Sequence, residues 1–118
     1  MTEFNPAEVE AAIRECASRI AKGVRVCDER YAAFLAADRA YDEAVARAYI
    51  AAEGPAHEKK YRAELATTAE RERRDVADAA YRYADRTARA VESELRALQS
   101  VGASIRAMYM VAGRGEGA

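Results

Sequence analysis

The sequence predicts an all-α protein: a long antiparallel helical hairpin of coiled-coil type, expected to pair into a dimeric or higher helical bundle. Three observations carry that expectation. Between residues 24 and 52, Val24, Cys27, Tyr31, Phe34, Asp38, Tyr41, Val45, Ala48 and Ala52 recur in alternating steps of three and four, a heptad seam held over several turns. Of the 118 residues, 30 are Ala, whereas Leu, Ile, Val and Phe together number 18. That favours thin helices with alanine-rich contacts over a thick globular core, because Ala, Glu and Arg are strong helix formers. Finally, the chain has one clear stop-and-restart, Glu53-Gly54-Pro55-Ala56, where Gly closes one helix and Pro opens the next.

Taken in order, Asn5-Pro6 starts the first helix. Asn5 can cap a free backbone N–H, and Pro6 forfeits nothing in the first turn. Glu8 and Glu10 follow where the helix dipole favours negative charge. Val9, Ile13, Cys16 and Ile20 begin the stripe, and the step from Ile20 to Val24 is a one-residue slip that falls on Gly23. Nothing around Gly23 builds a turn and a mid-helix Gly costs only about 1 kcal/mol, so continuity is expected, with the helix spanning about 6–53. Asp38 is the polar exception in the seam. It reads either as an edge carboxylate paired with Arg39 or a partner's Arg, or as a register-setting residue.

After a turn at 54–55, a second helix is expected over about 56–112. Tyr61, Leu65, Val76, Ala80 and Tyr83 are sparse, and residues 67–75, TTAERERRD, have almost no apolar face. A weak point or second break is expected there. The stripe then becomes dense again through Val91, Leu95, Leu98, Val101, Ile105, Met108 and Ala112. An antiparallel hairpin brings this stretch near Val9 to Ile20. Residues 1–112 are expected to form a single domain and 113–118, with three glycines, a disordered tail. Two helices leave too much seam open, so a homo-oligomer or another protein is the expected partner. The candidate interface comprises Val24, Cys27, Tyr31, Phe34, Tyr41, Val45, Leu98, Val101, Ile105 and Met108.

Charge and motifs narrow the function. Nineteen basic and twenty acidic residues leave a net charge of −1, so no bulk field attracts nucleic acid or an anionic membrane. No apolar run is long enough to span a bilayer. The acidic start MTEFNPAEVEAAIRE is unlike a secretory signal, and a cytoplasmic protein is expected. His57 stands alone among Glu58, Lys59 and Lys60, without a second His or a Cys at ligand spacing. Cys16 and Cys27 share a helix face about 16 Å apart along the axis, too far to bond within one helix. With no phosphate loop, metal-ligand pair or nucleophile motif, the expectation is a protein without catalytic residues, metal, cofactor or small-molecule substrate.

Arginine supplies one alternative. Arg82, Arg86, Arg89 and Arg96 fall on one helix face, and a basic stripe can track phosphates. Asp78, Asp85 and Glu92 each lie four residues before one of these arginines, the favourable order for intrahelical pairs that neutralise the stripe. Direct nucleic-acid binding is therefore kept as an alternative and not preferred. Tyr81 to Asp85, YRYAD, matches a YxxxD secretion pattern, but it lies inside a helix and the chain has no Trp.

The segments RAYDEAVARAYIAAEGP (39–55) and ELATTAERERRDVADAAYRYADRTARAVESELRALQSVGASIRAMY (64–109) carry a broader likeness. Their order, closing on Gln99, Ser100 and Arg106, resembles small all-helical proteins of tailed bacteriophages and prophages. Where that group carries three successive arginines, this chain has Asp85-Arg86-Thr87. The resemblance implies a helical protein encoded among phage replication and recombination functions. The expected role is a non-catalytic protein–protein interaction or scaffold protein, an accessory to phage DNA metabolism, with a small inhibitor of a host protein as a further alternative.

Overall fold

The computed structural model describes the backbone of residues 5–116 and the side chains of residues 5–113. The chain is all-α, with α1 over Pro6–Ala51, α2 over Ala56–Ala66 and α3 over Thr68–Glu116. The start of α1 is the expected cap: Asn5 Oδ1 accepts the Glu8 N–H at 2.8 Å. α1 continues through Gly23 without interruption. It ends at Ala51, and Gly54 takes φ 107°, a left-handed conformation that only Gly adopts without cost. Pro55 then opens α2, its carbonyl accepting the N–H groups of Glu58 and Lys59, each at 3.0 Å. Arg62 Nη1 reaches back to the Glu53 carbonyl at 2.9 Å and holds the turn.

The second arm, expected as one helix, is two. The break is confined to Thr67, the first residue of the stretch expected to be weak, and 68–75 is regular helix. The Thr67 N–H bonds to Glu64 O at 3.3 Å, one residue short of the α-helical partner. Its hydroxyl donates to the carbonyl that the amide abandons, Ala63 O, at 2.8 Å. Thr67 is buried, so this side-chain bond satisfies a carbonyl that water does not reach. Helix resumes at once, with Arg71 N–H on Thr67 O at 3.0 Å. At the other end α3 runs through Gly113 to Glu116, beyond the end expected at residue 112. Of the tail expected to be disordered, only Gly117 and Ala118 lie outside the described residues.

The chain divides into two compact units, residues 1–24 with 86–118, and residues 25–85. In the first unit the start of α1 pairs antiparallel with the end of α3, as expected for the two apolar stretches. Val9, Cys16, Val91 and Gly102 are buried there. Arg19 Nη1 meets Glu94 Oε2 at 3.0 Å, while Val9 and Ile13 lie against Gly102. A Cβ added to Gly23 would meet the Ala88 Cβ at 3.7 Å, an ordinary contact. Gly23→Ala is therefore expected to raise stability by about 0.5–1 kcal/mol through helix propensity, read as a higher midpoint in thermal denaturation.

The second unit is a helical hairpin. Arg30 meets Ala80 O, Tyr31 meets Tyr81, Asp38 meets Arg74 and Tyr49 meets Lys59. From 30–31 through 38 to 49 along α1, the partners fall from 80–81 through 74 to 59 on the facing arm, an antiparallel register. Its buried residues are small: Ala63, Thr67 and Ala84.

Candidate interaction surface

The stripe on α1 differs from the expected one at two positions. Ile20 is followed inward by Gly23, Cys27, Arg30 and Phe34, all at least half-buried. These steps of three and four contain no slip. Val24 is 58% exposed and Tyr31 is 46% exposed. Gly23 and Arg30 hold the positions assigned to them, because a search for large apolar residues passes over a glycine and an arginine. Tyr31 nonetheless touches the facing arm at its edge, its ring 5.1 Å from Tyr81 and 6.5 Å from Phe34. Cys27, Phe34, Tyr41 and Val45 are half-buried in the second unit, and Leu98, Val101 and Ile105 in the first. Met108 is exposed.

The inward face of residues 67–75 is polar, which is why it carries no apolar signal. Thr67 is buried there, and Glu70 and Arg74 are half-buried. Arg74 lies over the Tyr41 ring at 4.6 Å from its centroid and pairs with Asp38 at 3.9 Å and Asp75 at 3.3 Å. Asp38 thus reaches across the hairpin to Arg74 instead of pairing with its neighbour Arg39. The cation–π contact contributes about 0.5–1 kcal/mol at a site this exposed, and the ion pair less than that. Arg30 Nη1 donates to Ala80 O at 3.2 Å. Glu70 Oε2 is buried with no hydrogen-bond partner among the described residues. A polar middle of this kind stabilises weakly but ties one arm to the other in a single register.

The arginine face is largely occupied. Arg82 Nε donates to both carboxylate oxygens of Asp78, at 3.1 and 3.2 Å, the intrahelical pair expected from their spacing. Arg96 Nη2 turns to Ser93 Oγ at 3.2 Å in place of Glu92. Arg86 is exposed, and Arg89 is also engaged. A groove on α3 is lined by Ala69, Glu72, Arg73, Val76 and Ala77, with both signs of charge at its rim. Among the described residues no group of His, Cys, Asp and Glu is placed to hold a metal ion, and no helix is long and apolar enough to cross a membrane.

The balance of covered and uncovered apolar side chains is the most informative feature. Among the described residues, the buried apolar ones are Val9, Cys16, Ala63, Ala84 and Val91. Against them, Ile50, Leu65, Val76 and Met108 are each more than two-thirds exposed, and Tyr61, Tyr83, Tyr109, Met110 and Val111 are more than half exposed. Scattered exposed hydrophobics are normal on a protein surface, but here, among the described residues, about half of the large apolar side chains are exposed and only Val9 and Val91 are buried. Tyr61, Leu65, Val76 and Tyr83, the sparse apolar positions of the second segment, and Met108, expected in the dense stripe, all belong to this exposed set, whereas Ile50, Tyr109, Met110 and Val111 fall outside the expected stripes.

No protein family, curated protein or solved structure matches the chain.

Proposed function

We propose that this chain is a non-catalytic helical interaction protein, a scaffold whose helices are completed by further helices from a second copy or another protein. What supports the reading is the surplus of exposed large apolar side chains over a buried set that includes two alanines and a cysteine. Large apolar side chains are the ones a folded chain ordinarily buries. The likeness of residues 39–55 and 64–109 to small phage proteins suggests a phage-encoded accessory to DNA replication or recombination, acting in the cytoplasm of the bacterial host.

Light scattering of the full chain, alone and with a short single-stranded oligonucleotide at low and moderate salt, tests the reading. The expected result is a mass above the monomer that does not respond to the oligonucleotide. A salt-sensitive rise in mass with the oligonucleotide, abolished by Arg82→Glu with Arg86→Glu, would replace the scaffold with a nucleic-acid binder.

A further inference from the structure

The first unit ends unevenly. α1 begins at Pro6, and Pro6, Val9 and Ile13 share a small cleft with Gly102, Ile105 and Arg106. The start of α1 is therefore level with Ile105 and Arg106 on α3. From there α3 continues to Glu116, roughly 15 Å more at about 1.5 Å per residue. On this overhang Met108, Tyr109, Met110 and Val111 are between 59% and 70% exposed. A Cβ added to Gly113 would meet nothing within 4 Å. Four consecutive large apolar residues point in all directions around a helix, and a helix apolar all round is one built to be covered.

From this we infer that the α3 overhang is a dimerisation surface that pairs with the same overhang of a second copy, antiparallel about a two-fold axis. The inference rests on the scaffold reading and names one place where it acts. The stripe that α3 turns to α1 (Val91, Leu95, Leu98, Gly102, Ile105) continues in the same steps to Tyr109 and Ala112, past the point where α1 has begun. The surface therefore extends an intramolecular interface already in use, and among the described residues no helix running in the direction of α1 covers it. A second copy's overhang, related by a two-fold axis, runs in that direction and ends where α1 starts. Its C-terminal dipole end then faces the N-terminal end of α1, the favourable pairing of helix ends.

Such a contact is isologous: the same patch serves both copies. Met108 and Met110 adapt readily to a neighbour's shape. Each of the four side chains hides on the order of 100 Å² when covered. The whole contact stays in the small class, below about 1,200 Å², and gives a dimer that dissociates on dilution.

Sedimentation equilibrium of the full chain across a wide concentration range is the test. The native chain is expected to pass from monomer to dimer as concentration rises. The Met108→Glu, Val111→Glu variant is expected to weaken the dimer by more than about tenfold, with its helix content unchanged because both positions are exposed. A second measurement is independent of any loss of stability. With Cys16 and Cys27 changed to Ala, Ala112→Cys is expected to give a covalent dimer on oxidation, and Ala97→Cys, in the body of the unit, is not. Equal cross-linking of the two would overturn the inference. A dimer that persists in the doubly charged variant removes this surface and leaves the scaffold reading standing. A native chain monomeric throughout also overturns it, and leaves only a different protein as partner for that role.

Discussion

Replacing Phe34 and Tyr41 together by Ala is expected to unfold the second unit at ordinary temperature. Both rings are half-buried between α1 and the facing arm, in a unit whose buried residues are two alanines and a threonine. Full truncation of a buried Phe costs about 3–5 kcal/mol, and a half-buried ring costs about half of that. Tyr41 also gives up the Arg74 guanidinium at 4.6 Å, another 0.5–1 kcal/mol or so. The two residues are seven apart, near 10 Å along the helix, so their losses nearly add. The sum, about 4–6 kcal/mol, is most of what a small domain has to lose. The single variants should melt early but cooperatively, and the double variant should lose much of its circular-dichroism helix signal. A double variant with native helicity and unchanged mass would mean that the aromatic residues of the seam are not what joins the arms.

The legible part of the fold was whatever leaves a local chemical mark. Asn5-Pro6 marks the start of α1 by capping, and Gly54-Pro55 marks the turn by backbone conformation, and both were read correctly from residue type alone. The antiparallel order followed from that turn. The break at Thr67 was located only as a stretch, because a threonine that bonds back to Ala63 O has the same sequence signature as one that does not. Within the chain's own packing the inward stripe of α1 also uses Gly23 and Arg30, which hydrophobicity alone does not mark. Val24 exceeds Gly23 and Tyr31 exceeds Arg30 in hydrophobicity, yet Gly23 faces Ala88 and Arg30 donates to the Ala80 carbonyl. α3 likewise passes Gly113 because three glycines in six residues raise the cost of helix without forbidding it.

The candidate surface was less legible than the fold for a related reason. Heptad reading finds the residues a helix turns toward its own partner. It marks sparse apolar positions such as Leu65, Val76 and Tyr83 without telling whether the chain's own packing covers them, and most of each is exposed. Arginine spacing was readable, and so was its neutralisation: the Asp78–Arg82 pair follows from a four-residue interval and is present at 3.1 Å.

Gly102→Leu is expected to separate the helices of the first unit. Gly102 is buried, and a Cβ there would lie 3.4 Å from Val9 Cγ1, 3.6 Å from Arg106 Nη1 and 3.9 Å from Ile13 Cδ1. One methyl fits at those distances, so Gly102→Ala gains helix propensity of about 1 kcal/mol against a mild contact and should be neutral or slightly stabilising. Leu adds three further carbons directed into Val9 and Ile13, and α1 and α3 must part to admit them. Overpacking of this kind costs about 1–3 kcal/mol where a core can adjust. Here it costs more, because parting the helices also uncovers Val9, Cys16 and Val91, the buried apolar residues of the unit. The expected readout is a melting midpoint for Gly102→Leu lower than that of Gly102→Ala by at least about 10 °C, from roughly 4–8 °C per kcal/mol in a domain this small. Equal midpoints would show that α1 and α3 do not approach closely at Gly102, and the overhang of α3 would then lose the reference point from which its length is measured.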